Sequence, residues 1–244
     1  MKIALQMYTV RDRCTTGEGL LQTIKELAKI GYDGVEFAGY AGLSGQKIKN
    51  ALSESGLDVI ATHESLDRLE NSLDEVVSYC EVIGCKNIVC AYSPIRDEND
   101  LRHLEKVLRA AGERAAKSGI AVLYHNHSHE FKPLGSTLPI DVIKRYCSLE
   151  LDTYWAFDSG NDVCAYLRNN AGRIGLIHLK DGDLHSTPCA VGEGKIDIQG
   201  IVDAAYDIGA EWLIVENDNP LPDSLSDAAL SMRNLRSRYL RHDH

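Results

Sequence analysis

Three histidines and a glutamate fall within six residues, His125-Asn-His-Ser-His-Glu130, directly after the apolar run Ile120–Tyr124. Imidazoles and carboxylates ligate borderline divalent cations and move protons near neutral pH. A β-branched run that empties into such a cluster is how a parallel sheet delivers chemistry to one rim. Other apolar runs end in the same way: at Gln6, Glu36, His63, Tyr92, Asp152, His178 with Lys180, and Glu216 with Asp218.

The elements that must position these groups follow one repeated phrase. Strands are predicted at 2–7, 33–37, 57–63, 86–91, 120–125, 148–152, 173–180 and 211–216. Helical spacing lies between them, as in Leu20, Leu21, Ile24, Leu27 and Ala28, which Thr15 or Thr16 can cap. The stripe Leu101, Leu104, Val107, Leu108, Ala111 and Ala115 gives a second clear helix, and the last is expected at about 223–240. Gly31, Gly56, Gly84, Gly119, Gly172 and Gly209 each precede a strand, which reads as a helix C′ glycine repeated. Eight βα units without a linker predict an α/β fold, a single (β/α)₈ TIM barrel occupying residues 1–244 as one domain. A doubly wound sheet would carry a glycine-rich phosphate turn after its first strand, but the chain has Thr9-Val-Arg-Asp-Arg-Cys14.

Strand parity sorts the polar ends. His125 and His127 share a side with Leu123, Asp152 with Glu150, His178 and Lys180 with Leu176, and Glu216 with Ile214. One consistent arrangement turns His125, Asp152, His178 and Glu216 into the barrel mouth. That mixed N/O set suits Mn²⁺, Zn²⁺, Co²⁺ or Fe²⁺ and disfavours Ca²⁺. Each residue also has a plainer role open to it. A strand-end histidine is often only hydrogen-bonded, and Asp152 can cap the helix that begins at Thr153. Glu150 can be a buried barrel residue paired with a lysine, Lys180–Asp183 a polar loop, and His242 and His244 a frayed tail.

The net charge of −10, with no basic stripe, speaks against tracking a phosphate backbone, so no nucleic-acid partner is expected. The run Ile3–Val10 is too short and polar for a signal region or a membrane span. Seven scattered cysteines without a CxxC pair fit reduced thiols in a cytoplasmic protein. Cys80, Cys85 and Cys90 run from a helix end into a strand and are not expected to converge. Nothing in the sequence decides whether the chain forms a homo-oligomer.

Leu5–Asp12, Gly34–Phe37, His125–Phe131, Leu151–Trp155, Ile177–Asp181, Val191–Gly194 and Ile214–Glu216 together resemble the sugar phosphate isomerase/epimerase family of xylose isomerase-like barrels. That family includes inosose isomerases, dehydratases and endonuclease IV enzymes. The resemblance implies a divalent metal held by the last four strands, with Asp152, His178 and Glu216 at three ligand positions. At the fourth, this chain has His125 where many relatives have Glu, and Glu130 offers a carboxylate five residues on. The implied activity is metal-dependent isomerisation or epimerisation of a small-molecule sugar or cyclic keto-polyol through a metal-stabilised enediolate. Glu216 is then the expected base, with Glu130 and Lys180 moving protons; Lys180 would need to be neutral to act as a base. Gln6, Glu36, His63, His127 and Trp155 are expected to line the substrate pocket.

The runner-up is a lyase on the same carbonyl chemistry, removing water from a keto-inositol or dehydroshikimate-like compound or cleaving a 3-keto-glycoside. A metal-free sugar-binding barrel is a weaker alternative. An endonuclease IV-like phosphodiesterase fits the acidic charge poorly. Val191-Gly-Glu-Gly-Lys195 is the one stretch able to clamp an anion.

Overall fold

Short β-branched runs alternate with amphipathic helices along the whole chain, and the computed structural model folds them accordingly; it describes residues 1–185 and 187–240. His242 and His244, and the last residues of the domain expected over 1–244, lie outside the described residues. The barrel strands are β1 (Lys2–Gln6), β2 (Gly34–Phe37), β3 (Asp58–Glu64), β4 (Asn87–Cys90), β5 (Ala121–His125), β6 (Ser148–Asp152), β7 (Ile174–Leu179) and β8 (Trp212–Val215). All pair in parallel and close as β1-β8-β7-β6-β5-β4-β3-β2, the eightfold barrel expected.

Helix boundaries follow the capping chemistry. The Thr16 hydroxyl accepts the Gly19 N–H to start Gly17–Ile30, and Gly31 ends that helix in the left-handed region at φ 104°. Gly56, Gly84, Gly119 and Gly209 also have positive φ, but Gly172 does not. There the helix Val163–Asn169 stops at Asn170, and Gly172 lies inside a 3₁₀ turn, Ala171–Arg173. The β5–β6 connection carries only a 3₁₀ turn (His129–Phe131) and the five-residue helix Pro139–Ile143. The final helix runs over Ser224–Asn234 and ends in a π-turn, Leu235–Tyr239.

The barrel wall separates two apolar regions. The larger lies between strands and helices, where Leu104, Val107, Leu108, Ala111 and Ala115 of the helix Glu98–Ala115 are buried; Leu101 of the same stripe is buried too. Each such Leu or Val contributes roughly 1.5–3 kcal/mol of transfer free energy. The smaller fills the barrel interior with Ala4, Ile60, Ala61, Val89, Leu123, Leu176 and Ile214. Above this apolar floor the same inward-facing rows turn polar: Gln6, Glu36, His63, Glu150 and His178, then His125, Asp152, Lys180 and Glu216. Register shifts at Val35/Glu36 and Leu149/Glu150 bring the polar residues of different strands to matching heights.

The seven cysteines are free. Cys80 and Cys85 meet, because the turn at Gly84 brings the Cys85 N–H back onto the Cys80 carbonyl at 2.9 Å, but Cys90 does not join them. A thiol–thiol hydrogen bond and burial push the Cys80 pKa far up, which suits an inert packing thiol.

Candidate metal centre and substrate cavity

Four strand ends converge at the mouth. Ligand atoms of His125, Asp152, His178 and Glu216 all lie within 4.8 Å of one another, and the four residues are buried. His125 Nε2 is 3.3 Å from Asp152 Oδ2 and 3.9 Å from Glu216 Oε2, and His178 Nδ1 is 3.1 Å from Glu216 Oε2. Ligands at roughly 2.0–2.2 Å from a tetrahedral cation stand about 3.4 Å apart, so these separations fit one. His125 Nε2 is buried without a hydrogen-bond partner, a cost that a cation at this nitrogen would remove.

Of the two sequence readings of Asp152, the helix cap is observed. Its Oδ1 accepts the Trp155 N–H at 2.9 Å and caps the helix Thr153–Asp158, while Oδ2 faces the cluster. Lys180 joins from the end of β7. Its Nζ is 2.7 Å from Glu216 Oε2, 3.1 Å from Asp152 Oδ2 and 2.9 Å from Asp218 Oδ2. Burial alone favours the neutral amine, but these three carboxylates outweigh it and hold the Lys180 pKa above its ordinary value. Burial likewise opposes the carboxylate form of Glu216 and Asp152. Lys180 dominates among the groups that overturn this, aided by His178 at Glu216 and His125 at Asp152, and both pKa values are lowered.

A cavity of about 540 Å³ opens over the cluster, lined by His63, His125, His127, Lys180, Glu216 and Asp218 on its polar side and by Tyr8, Ala38, Ala91, Tyr92 and Trp155 on its apolar side. Burial first, and then the neighbouring His125, lower the His127 pKa to about 3, so this ring is neutral near pH 7. Trp155 stands 5.6 Å from the His127 ring and 5.4 Å from Lys180 Nζ, which fixes its plane at the cavity wall.

The sequence matches the model of the xylose isomerase-like TIM barrel family over residues 24–237. The chain belongs to that family. A sugar phosphate isomerase/epimerase from Parabacteroides distasonis is similar in structure, with TM-score 0.85 at 19% identity over 97% of this chain and 98% of the other. The zinc-bound IOLI protein aligns with TM-score 0.80 at 15% identity, over 99% and 100% of the two chains. The probable 3-DHS dehydratase AsbF of Bacillus anthracis gives 0.79 at 13% identity, over 98% and 100%. At these identities the likeness establishes the fold. No curated protein matches in sequence.

Within this family member, several expected site residues stand elsewhere. The Glu130 carboxylate accepts the Tyr124 hydroxyl at 2.7 Å and the His127 N–H at 2.8 Å, so both its oxygens tie the turn after β5 to the outer face of the wall. Gln6 and Glu36 lie beneath the cavity rather than along it. Gln6 donates to Glu36 Oε2 at 2.9 Å and accepts the Tyr8 N–H at 3.0 Å. Glu150 is buried as expected, but its partners are His63 and His178, not a lysine. The Gly-Glu-Gly stretch already clamps an anion, namely Asp181. That carboxylate accepts the N–H groups of Gly182, Gly192, Gly194 and Ile196 at 2.7–3.3 Å, and a Cβ at Gly194 would collide with it. Lys180–Asp183 is accordingly more than a loop, since Asp181–Gly182 pairs antiparallel with Pro188–Cys189.

Two polar residues outside the expected set brace the strand ends. The Asn126 Oδ1 accepts the Asp152 N–H at 3.0 Å, joining β5 to β6. The Thr153 hydroxyl accepts the Lys180 N–H at 3.0 Å and faces the carbonyls of His178 and Lys180, joining β6 to β7. Asn126 stood inside the histidine cluster in sequence, on the face opposite the ligands, which was its only signal. Among the described residues no helix is long and apolar enough to cross a membrane.

Proposed function

We propose that this barrel is a divalent-metal-dependent isomerase or epimerase of a sugar or cyclic keto-polyol. The carrying observation is the buried convergence of His125, Asp152, His178 and Glu216 at the floor of a cavity able to hold a small polyhydroxylated ring. Mn²⁺, Zn²⁺, Co²⁺ or Fe²⁺ held there supplies Lewis-acid polarisation of a carbonyl and its neighbouring hydroxyl. Glu216 reaches both the cluster and the cavity and takes the proton α to the carbonyl. Lys180, with its Nζ 2.7 Å from Glu216 and 3.1 Å from Asp152, is placed to act as a hydrogen-bond donor to the developing enediolate oxygen. Neutral His127 offers either a donor or an acceptor to a substrate hydroxyl, and Trp155 presents a ring face to the apolar side of the sugar.

A lyase on the same substrates is the second reading, favoured by one observation: Glu130 is committed to Tyr124 and His127, leaving Glu216 as the carboxylate best placed for proton transfer. One base with a lysine beside it serves elimination as well as it serves isomerisation. Proton NMR in deuterated water with Mn²⁺-supplemented protein and a panel of ketoses and inososes separates the readings. Deuterium entering α to the carbonyl with an isomeric product supports the first. Loss of water or an aglycone supports the second. Metal below one equivalent that added Mn²⁺ does not restore contradicts both and leaves a sugar-binding barrel.

A further inference from the structure

Beneath the candidate centre lies a second buried group of potential ligands: Glu36, His63, Glu150 and His178, drawn from β2, β3, β6 and β7. The two groups share His178, which sits with its two nitrogens facing opposite ways. Nδ1 faces Glu216 in the upper group. Nε2 faces Glu36 Oε2 at 2.5 Å and Glu150 Oε2 at 3.1 Å in the lower one. His63 Nε2 approaches Glu150 Oε2 at 2.6 Å, and its ring lies parallel to that of His178, 5.2 Å between centroids.

The spacing distinguishes what the groups can do. Contacts of 2.5 and 2.6 Å are direct charge-assisted hydrogen bonds. Two ligands each about 2.1 Å from one cation cannot approach so closely at a tetrahedral angle. Glu36 Oε2 accepts from both Gln6 and His178, which fills that oxygen, while Glu36 Oε1 and Glu150 Oε1 are buried without a hydrogen-bond partner. The upper group, at 3.1–3.9 Å, has room for a cation between its members; the two short nitrogen–oxygen pairs of the lower group do not.

We propose that Glu36 and Glu150, with His63 holding Glu150, form a clamp on the Nε2–H of His178 that presents its Nδ1 lone pair to the metal. A neutral imidazole carries one N–H and one lone pair, so anchoring the N–H at Nε2 decides which nitrogen ligates and aims the ring. The clamp stands on an apolar floor of Ile60, Val89, Leu123, Leu176 and Ile214, which excludes competing water. Glu36, Glu150 and His63 are thus positioning residues, acting through His178. The clamp rests on the metal reading above, and its test is chosen to fail separately.

Co²⁺ titration followed by its d–d absorption counts equivalents and gives the dissociation constant; ¹⁵N NMR of the histidine rings locates the His178 proton. The expected result is one equivalent of Co²⁺ per chain. The dissociation constant rises about 10- to 100-fold in Glu150→Gln and in Glu36→Gln, with thermal melts confirming folded protein. In the wild type His178 Nε2 carries a proton with and without Co²⁺. Two equivalents in the wild type falling to one in Glu150→Gln would overturn the clamp in favour of a second metal site. Unchanged affinity in both variants, or a bare Nε2, would overturn it as well. A wild type that binds no Co²⁺ defeats the metal reading alone, and the Nε2 proton of the metal-free protein then decides the clamp without any variant.

Discussion

The two ends of the barrel hold cavities of nearly equal size and opposite character. The N-terminal end has one of about 580 Å³, lined by Lys2, Lys49, Lys86, Asp58, Glu211 and Trp212. The mouth has one of about 540 Å³. At the base the charged groups keep their water: Lys2 and Asp58 pair at 3.0 Å with side chains 49% and 59% exposed, and Lys2 lies over Trp212. At the mouth Asp152, His178, Lys180 and Glu216 are at most 6% exposed. Desolvating several charges costs far more than leaving them at a surface, and the mouth does so beside a cavity while the base does not. Volume therefore does not locate the site; retained buried charge does.

The comparison can be broken in order of expected effect. Asp152→Asn and Glu216→Gln each remove a ligand and should weaken Mn²⁺ binding by more than the roughly 100-fold upper range typical of an outer partner, with α-proton exchange lost in parallel. Calorimetry and deuterium incorporation measure the two; binding within tenfold of wild type would remove the distinction between the ends. Asp181→Ala leaves four backbone N–H groups without their acceptor and should cost about 1–3 kcal/mol in urea unfolding. Limited proteolysis should then cut within 190–196 while the Cα trace of the barrel strands is kept.

A smaller, pH-dependent effect is expected at Asp227, which accepts from Asn217 Nδ2 and whose pKa burial raises to about 6. In the unfolded chain this acid ionises near its ordinary value, so the folded form holds the extra proton between pH 4 and 6. The sign follows: its contribution is fully present below about pH 4 and is lost as pH rises to about 6. Asp227→Asn should therefore flatten the melting-temperature profile across that window. An unaltered profile would contradict it. The smallest effect belongs to the base: Lys2→Ala or Asp58→Ala should leave the urea midpoint within error of wild type and leave metal affinity alone.

Much of this was legible from residues 1–240 as a string. Alternation placed His125, Asp152, His178 and Glu216 on inward rows because strand parity is a local property, interrupted only at irregularities such as the one beside which Ile60 and Ala61 both join the interior cluster. Depth was not legible. Gln6 and Glu36 read as pocket residues along with His63, which does line the cavity, but depth depends on stagger between strands, and the register shift at Val35/Glu36 changes it. Glu150 read as a buried residue in search of a lysine; its histidine partners come from strands 87 residues before and 28 after it, and no spacing announces them. Glu130 lay five residues from His125, close enough in sequence to compete as a ligand. Only the direction of the 3₁₀ turn at His129–Phe131 sends it to the other side of the wall. The Gly-Glu-Gly stretch read as able to clamp a substrate anion, but the carboxylate its N–H groups hold is Asp181 of the chain itself.

The central claim is a cation at the mouth bound by four strand ends. Anomalous diffraction from Mn²⁺-soaked crystals at the manganese edge tests it most directly. The account predicts one strong peak about 2.0–2.2 Å from His125 Nε2, Asp152 Oδ2, His178 Nδ1 and a Glu216 oxygen. A peak among Glu36, His63 and Glu150, or none at full Mn²⁺ saturation, would contradict it.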